Sequence, residues 1–323
     1  VSDDDWRPTA STAVLRRRAA ALARARAFFA ARGVLEVDTP LLIRHAVTDV
    51  HLHSAQVTLP GTAAPRYLHT SPEYAMKRLL AAGSGDIYQI AHVIRGEEHG
   101  RWHNPEFTLI EWYRVGWPMA ALMEEVAQLV LALLDEAAPP RVEFLRYDEA
   151  FVRVLGCSAL ASDDAQLRTC ATAAGLEARL ATRCSRDELL DWLMATVVGP
   201  QLGQDALCFL HRYPASQAAL ARLDPEDAGV ALRFELYHRG VELANGFEEL
   251  GDAAEQRTRF EHDRSERSRR ALPVPDIDDR LLAALAAGLP PCAGVALGFE
   301  RVLMLALDAP HISAVLTFPS ERA

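Results

Sequence analysis

The chain has 323 residues, half of them hydrophobic and about a quarter charged, which is ample material for one large buried core with a small insertion. Its formal net charge of −10 gives no reason to expect nonspecific nucleic-acid binding, although a local basic patch stays open. The five cysteines (Cys157, Cys170, Cys184, Cys208 and Cys292) form no Cys-x-x-Cys pair, a usage expected of a reduced, cytoplasmic chain with buried free thiols.

The start, Val1-Ser2-Asp3-Asp4-Asp5, is acidic and unlike a signal peptide. A helix is predicted over residues 13–32, with Val14, Leu22, Ala25, Phe28 and Phe29 along one side and Gly33 as its stop. Val34-Leu35-Glu36-Val37-Asp38-Thr39-Pro40 follows as a short strand ended by proline. Glu73-Tyr74-Ala75-Met76-Lys77-Arg78-Leu79-Leu80 reads as an ordinary helical run. Ile87-Tyr88-Gln89-Ile90-Ala91-His92-Val93-Ile94 has the near-alternating polarity of a strand. The residues after it, with Gly96 and Gly100, read as a turn, and Phe107-Thr108-Leu109-Ile110-Glu111-Trp112-Tyr113 as a second strand.

An amphipathic helix is expected over residues 117–136, and a highly charged one over residues 253–271. Residues 141–205 are less patterned, with helical stretches at 163–174 and 186–197; they read as an insertion in a single domain spanning 1–323. Residues 281–299 are apolar enough to suggest a membrane span by length, but Pro290-Pro291 and several glycines break the run into helix, turn and strand.

Arg95 and Arg301 each sit beside glycines at the edge of an apolar run, in Ile94-Arg95-Gly96-Glu97-Glu98-His99-Gly100 and Gly294-Val295-Ala296-Leu297-Gly298-Phe299-Glu300-Arg301. A permanently charged, forked side chain suits phosphate oxygens, and strand, loop, strand is a layout for a nucleotide clamp on an antiparallel sheet. Either arginine alone is equally a surface residue near a turn. Lys77 is the only lysine, and no Gly-Lys-Ser/Thr is present, which excludes a P-loop.

In Phe234-Glu235-Leu236-Tyr237-His238-Arg239-Gly240-Val241-Glu242, Arg239-Gly240 reads as a hairpin turn. If His238 pairs with Val241, Tyr237 faces Glu242, and Glu235 lies on the same face. Two carboxylates on one surface can hold Mg²⁺. Read from spacing alone, two solvated glutamates remain the favoured alternative.

The two arginine segments resemble motifs 2 and 3 of the class II aminoacyl-tRNA synthetases, and the helix–strand–proline unit at residues 13–40 resembles motif 1, their dimerisation element. The resemblance covers most of the chain. It implies an α+β fold, a mostly antiparallel sheet flanked by helices, and a homodimer. It also implies ATP-dependent activation of a carboxylate as an adenylate. On that resemblance Arg95 grips the α-phosphate, with Gly96, Glu97 and Asn104 nearby and Phe107 stacked on adenine. Gly298 admits ATP closely, Arg301 reaches the γ-phosphate, and Glu242 and Leu243 complete the nucleotide contacts. Ser71-Pro72-Glu73, His103-Asn104-Pro105-Glu106-Phe107-Thr108, Glu111-Trp112-Tyr113 and Glu242-Leu243-Ala244-Asn245-Gly246-Phe247-Glu248-Glu249-Leu250 are similar to the lysyl-tRNA synthetase core. That narrower likeness places Glu235 and Glu242 on Mg²⁺. It places Glu249 on a substrate ammonium, with Tyr113 beside it, Glu73 near the amino group, and Ser71, Pro72, Asn245 and Ala296 around the substrate.

The motif 1-like unit begins close to the start, so no anticodon-binding barrel is expected. The freestanding core resembles the ligases that attach (R)-β-lysine to a lysine side chain of elongation factor P. Ala296, where lysyl-tRNA synthetases have glycine, points the same way. The resemblance therefore implies elongation factor P as the acceptor, lysine or β-lysine as the substrate, no tRNA and no membrane. A truncated lysyl-tRNA synthetase and a catalytically silent paralogue are the rival readings. Three positions depart from the family pattern: Gly96 for the usual Asn, Glu300 for the common Asp, and Glu248 for His or Ser.

Overall fold

The structure is a computed structural model that describes residues 6–61, 64–136 and 138–323. The acidic start, Val1 to Asp5, lies outside the described residues. The chain groups into two compact units: Val1–Trp117, Gln128–Ala137 and Leu250–Ala323 form the first, and Pro118–Ala127 with Ala138–Glu249 the second. Both are α+β with mostly antiparallel strands flanked by helices, as expected from the sequence.

In the first unit, helix α1 (Thr12–Ala30) starts where the Ser11 hydroxyl accepts a hydrogen bond from the Val14 amide, a side-chain cap on an orphan N–H. It stops before Gly33, which takes the left-handed φ of 68°. The predicted strand after it shrinks to β1 (Leu35–Glu36), parallel to β5. Strands β2 (Leu42–Ile43), β3 (Gln56–Val57) and β4 (Arg66–Leu68) make a small separate sheet in the order β2-β4-β3. Helix α2 (Glu73–Ala81) then leads to the hairpin of β5 (Ile87–Ile94) and β6 (Glu106–Val115). Helix α3 (Met119–Leu134) follows, counted with the second unit to Ala127 and with the first from Gln128.

Beyond residues 118–127, the second unit contains β7 (Arg141–Arg146), α4 (Tyr147–Leu155), α5 (Asp164–Ala173), α6 (Ala178–Ala181) and α7 (Arg186–Leu193). The expected insertion is therefore helical apart from its first strand. β8 (Ala206–Pro214), β9 (Leu223–Asp224), β10 (Asp227–His238) and β11 (Val241–Glu248) complete the unit. Its strands run in the order β11-β10-β8-β7, with β9 beside β10, and only β7–β8 is parallel. The helices cover this sheet through Tyr147, Phe151, Leu167, Leu189 and Leu193, buried in one cluster with Leu210 of β8.

The chain then returns to the first unit with α8 (Ala253–Arg269), α9 (Asp279–Gly288), β12 (Cys292–Gly298) and α10 (Phe299–Ala306). Residues 281–299 thus are helix, turn and strand, ending at the first residue of α10. Among the described residues no helix is long and apolar enough to cross a membrane. The first-unit strands run β1-β5-β6-β12.

Strand β6 organises this sheet. Its even-numbered side chains face α1: Trp112 is buried edge-on to Phe29 at 5.3 Å, and Phe29 stacks on Tyr88 at 4.2 Å. The odd-numbered side chains, Phe107, Leu109, Glu111 and Tyr113, therefore face the other way.

The β10–β11 hairpin has the register expected from the sequence, with His238 opposite Val241 and Tyr237 opposite Glu242. Both turn residues have positive φ, 50° at Arg239 and 71° at Gly240. A Cβ at Gly240 would lie 2.6 Å from the Pro200 carbonyl oxygen, so strain and a backbone clash both oppose a side chain there. Gly240→Ala should lower unfolding stability by about 1–3 kcal/mol in urea titrations. An unchanged midpoint would show that the 199–203 segment yields without cost.

Candidate active site

Directly opposed residues in antiparallel strands share a face. Gln89, Glu111 and Ala296 form one such row across β5, β6 and β12. Phe107 and Ala296 border an apolar cluster of Ala91, Val93 and Leu109 on the same side. This face carries polar groups inside an apolar frame, the usual build of a small-molecule site.

Glu111 is its buried centre. Ser71 Oγ donates to Glu111 Oε2 at 2.7 Å, and the Tyr113 hydroxyl donates to Oε1 at 2.8 Å. Ser71 Oγ also accepts from the Glu73 amide at 3.0 Å, which ties the first turn of α2 to the sheet. Pro72 lies at the cap of that helix. Glu73 Oε1 accepts from Lys77 Nζ at 2.7 Å, one helical turn on, and Lys77 is only 2% exposed. The Gln89 amide oxygen is buried without a partner among the described residues, an acceptor that a ligand N–H could use.

Arg95 follows β5. Its Nε donates to the Thr70 carbonyl at 3.2 Å, and its guanidinium lies 5.1 Å from the Phe107 ring centroid. The structure thus brings together the first arginine and the aromatic ring that the sequence assigned to one nucleotide. A Cβ on Gly96 would meet His53 Cβ at 3.1 Å and its carbonyl oxygen at 3.3 Å, while the Gly96 amide donates to that carbonyl at 2.7 Å. A side chain at this position would make His53 give by a few tenths of an ångström. Glu97 takes the left-handed φ of 64° and points largely into solvent, 3.8 Å from His53 Nε2. Asn104 is buried, donating to the Glu106 carbonyl at 2.6 Å and accepting from the Ser320 amide at 3.1 Å. It supports the loop's frame.

Arg301 stands in the first turn of α10, behind Gly298, the N-cap residue. Its Nε reaches the Trp102 carbonyl at 3.4 Å, and its NH2 donates to His103 Nε2 at 2.7 Å. Arginine has no acceptor, so His103 Nε2 must offer a lone pair and the ring proton belongs on Nδ1. Burial first, and then the Arg301 charge, push the His103 pKa down, which keeps the ring neutral. His103 was passed over as a site residue in the sequence. Its signal is its position in the arginine-bearing segment, four residues before Phe107.

In the second unit, Glu235 Oε1 accepts from Arg233 NH2 at 2.6 Å and Oε2 from the Tyr237 hydroxyl at 2.7 Å. Arg233 Nε donates to Asn245 Oδ1 at 3.2 Å, and the guanidinium lies 4.3 Å from the Tyr213 ring centroid. Burial opposes the Arg233 charge, but Glu235, Tyr213 and Glu242 outweigh it and raise its pKa. Burial also drives the Tyr237 phenol well up, reinforced by the Glu235 and Glu242 carboxylates. Both glutamates thus act on the same side of the hairpin.

Hard carboxylate oxygens suit Mg²⁺, which is commonly held by one or two of them plus substrate phosphates. The Glu235 oxygens, though held by Arg233 and Tyr237, keep lone-pair capacity, and Glu235 with Glu242 would offer carboxylate oxygens to that ion. Among the described residues no three or more His, Cys, Asp or Glu gather as a metal cluster, so a cation here depends on ligand oxygens as well.

Glu248 and Glu249 separate by environment. Glu248 Oε1 lies 2.7 Å from Arg222 NH2, and its Oε2 accepts from the Met119 amide at 3.1 Å. Glu249 is buried, in a bridge with Ala221. Leu243 is buried in β11 beside Glu242.

The family of tRNA synthetases class II (D, K and N) matches residues 4–322. Three similar proteins carry the name elongation factor P–(R)-beta-lysine ligase. The Vibrio vulnificus (strain YJ016) protein is 49% identical over 319 residues, covering 98% of each chain. The protein from Pectobacterium carotovorum subsp. carotovorum (strain PC1) is 50% identical over 323 residues, again 98% of each. That from Vibrio cholerae serotype O1 (strain ATCC 39315 / El Tor Inaba N16961) is 47% identical over 327 residues, 100% of each.

The His103–Arg301 contact has a pH signature. The folded state holds the ring neutral, so it binds fewer protons than the unfolded chain, and the contact's stabilisation is present above pH 6.5 and is lost as pH falls. Imidazole NMR should find the Nδ1–H tautomer at neutral pH and a midpoint below 6.5, rising toward it in Arg301→Leu. A midpoint above 6.5 in the unsubstituted protein would contradict the assignment.

Proposed function

The chain belongs to the class II tRNA synthetases (D, K and N), and on that premise we propose that it is an AMP-forming ligase: it activates (R)-β-lysine, or lysine, as an adenylate and transfers it to a lysine side chain of elongation factor P. The observation that carries the reading is one sheet face on which Arg95 packs against Phe107 and, beyond them, Glu111, Tyr113 and Ala296 are set for a small polar substrate. Relatives of nearly the same length, 47–50% identical, bear the name of that ligase, which supports the same acceptor.

In the proposed reaction Phe107 stacks on adenine, and Arg95 and Arg301 hold the α- and γ-phosphates. Gly96, Glu97, Leu243 and Gly298 line the nucleotide, and Asn104 keeps its loop in place. The substrate carboxylate attacks the α-phosphorus in line, the bond to pyrophosphate breaks, and charge shifts toward the arginines, which are already oriented. Glu235 and Glu242 would hold Mg²⁺, which when bound neutralises phosphate charge. Ser71, Pro72, Glu73 and Asn245 orient the substrate's amino end, and Glu249 receives its ammonium. In the second step the acceptor amine attacks the anhydride carbonyl, an amide forms and AMP leaves.

The acceptor must come from another molecule. Lys77, the only lysine in the sequence, is 2% exposed and ion-paired. The setting for this reaction is the cytoplasm, and the active form is a homodimer joined through the motif 1-like unit. Leu35 and Leu41 support that surface, being 55% and 41% exposed along the outer strand and the segment after it.

Two experiments test the proposal. Enzyme, ATP and either lysine isomer are incubated with purified elongation factor P or with tRNA, and mass is followed on each acceptor. Addition of one lysyl unit to the factor, favoured with the β-isomer, is the expected result. Stable charging of tRNA with no mass added to the factor would defeat the ligase reading in favour of a truncated synthetase. For the ammonium site, Glu249→Gln keeps the shape and removes the charge. It should weaken amino-acid binding by about 2–5 kcal/mol and leave ATP binding unchanged in calorimetry. Undiminished affinity for lysine analogues would move the role to another acid.

A further inference from the structure

One basic residue lies on the far side of the sheet from the proposed nucleotide and still touches both elements that present it. Arg18, in α1, donates through NH2 to Thr108 Oγ1 at 2.8 Å and lies 2.7 Å from Glu300 Oε1. Its guanidinium also sits 4.9 Å from the Phe299 ring centroid. Glu300 Oε2 in turn accepts from the Thr108 backbone amide at 2.8 Å. Thr108 immediately follows Phe107, and Glu300 immediately precedes Arg301.

We propose that Arg18 and Glu300 form a positioning pair that sets Phe107 and Arg301 relative to each other. The proposal rests on the reading of those two residues as nucleotide contacts. The physical argument begins with burial. Glu300 is 2% exposed, and a buried carboxylate needs a cation or several donors to stay charged. It has a cation and one donor, from two different elements. Arg18 supplies charge from α1, and the Thr108 amide supplies a donor from β6. One guanidinium nitrogen, NH2, meets both the Glu300 carboxylate and the Thr108 hydroxyl, so a single charged group joins the two elements.

The pair therefore bolts the first turn of α10 to β6 at the level of the proposed phosphate and adenine contacts. Thr108 faces α1 with Ile110 and Trp112, whereas Phe107 faces away, so Arg18 acts through the strand without touching substrate. Removing its charge leaves Glu300 buried with one partner fewer, free to turn toward water. That change releases the first turn of α10, and Arg301 with it.

The test uses the full chain and ATP–pyrophosphate exchange, varying ATP and amino acid in turn, on Arg18→Met, Arg18→Lys, Glu300→Gln, Glu300→Asp and Arg301→Ala. Arg18→Met and Glu300→Gln should raise KM for ATP about tenfold and lower kcat, with KM for the amino acid changed by less than about twofold. Glu300→Asp, which keeps the charge, should recover most of the loss. Added to Arg301→Ala, Arg18→Met should cost much less than it does alone, because residues that act as a unit are not additive. Wild-type ATP kinetics in folded Arg18→Met would overturn the proposal. So would equal rises in both KM values, the mark of a merely structural residue. Should Arg18→Met fail to fold, Glu300→Gln decides by the same split. Normal exchange in Arg301→Ala would instead remove the phosphate clamp itself, a separate failure.

Discussion

The register of β6 between β5 and β12 is the constraint on which the first unit depends. A strand shows alternate side chains to opposite faces, so a slip of one residue would exchange the two sets. In β6 that would bring Trp112 out of its contact with Phe29 and drive Glu111 against α1. A buried indole accounts for on the order of 150–250 Å² of surface removed from water, and a buried carboxylate without its donors costs several kcal/mol. Both penalties oppose the slip. The row Gln89–Glu111–Ala296 is consequently held by packing on the opposite face of the sheet.

Charge is distributed by the same logic. The chain is acidic overall, yet its buried or half-buried charges occur with partners: Lys77 with Glu73, Arg114 with Asp86, Arg18 with Glu300 and Arg233 with Glu235. Such pairs contribute little net stability compared with apolar packing, but breaking one leaves a charge stranded in the interior. They therefore fix geometry. Glu73 is oriented by Lys77, and Glu235 by Arg233 and Tyr237, before any substrate or cation is present.

What the sequence reveals divides along a physical line. Local patterns were readable. The alternating run at residues 87–94 is β5 with the same bounds, and the charged helix at 253–271 is α8 shortened at its end. The Arg239-Gly240 turn also set the hairpin register, because only a few residues accept positive φ there. Two-residue strands such as β2 and β3 carry no periodicity and were invisible. Strand β7 was lost in an otherwise helical stretch because only one of its side chains, Leu145, is buried, so no alternation shows. At the site, motifs named Arg95 and Phe107, which the fold brings together. Residues that act through a distant partner were not legible. Thr108 and Glu300 are 192 positions apart, and Arg301 and His103 are 198 apart, so no spacing rule connects them. Glu111 and Arg233 were likewise hidden, since a buried charge looks like a surface one until its partners are known.

The central claim is that this chain turns a lysine-type carboxylate into an adenylate. ATP–pyrophosphate exchange measures that step without any acceptor. Run over a panel of amino acids that includes both lysine isomers, aspartate and asparagine, it should report exchange with (R)-β-lysine and, more weakly, with lysine, and only background with the others. Exchange driven by aspartate or asparagine, or no amino-acid-dependent exchange by the folded protein, would contradict the account.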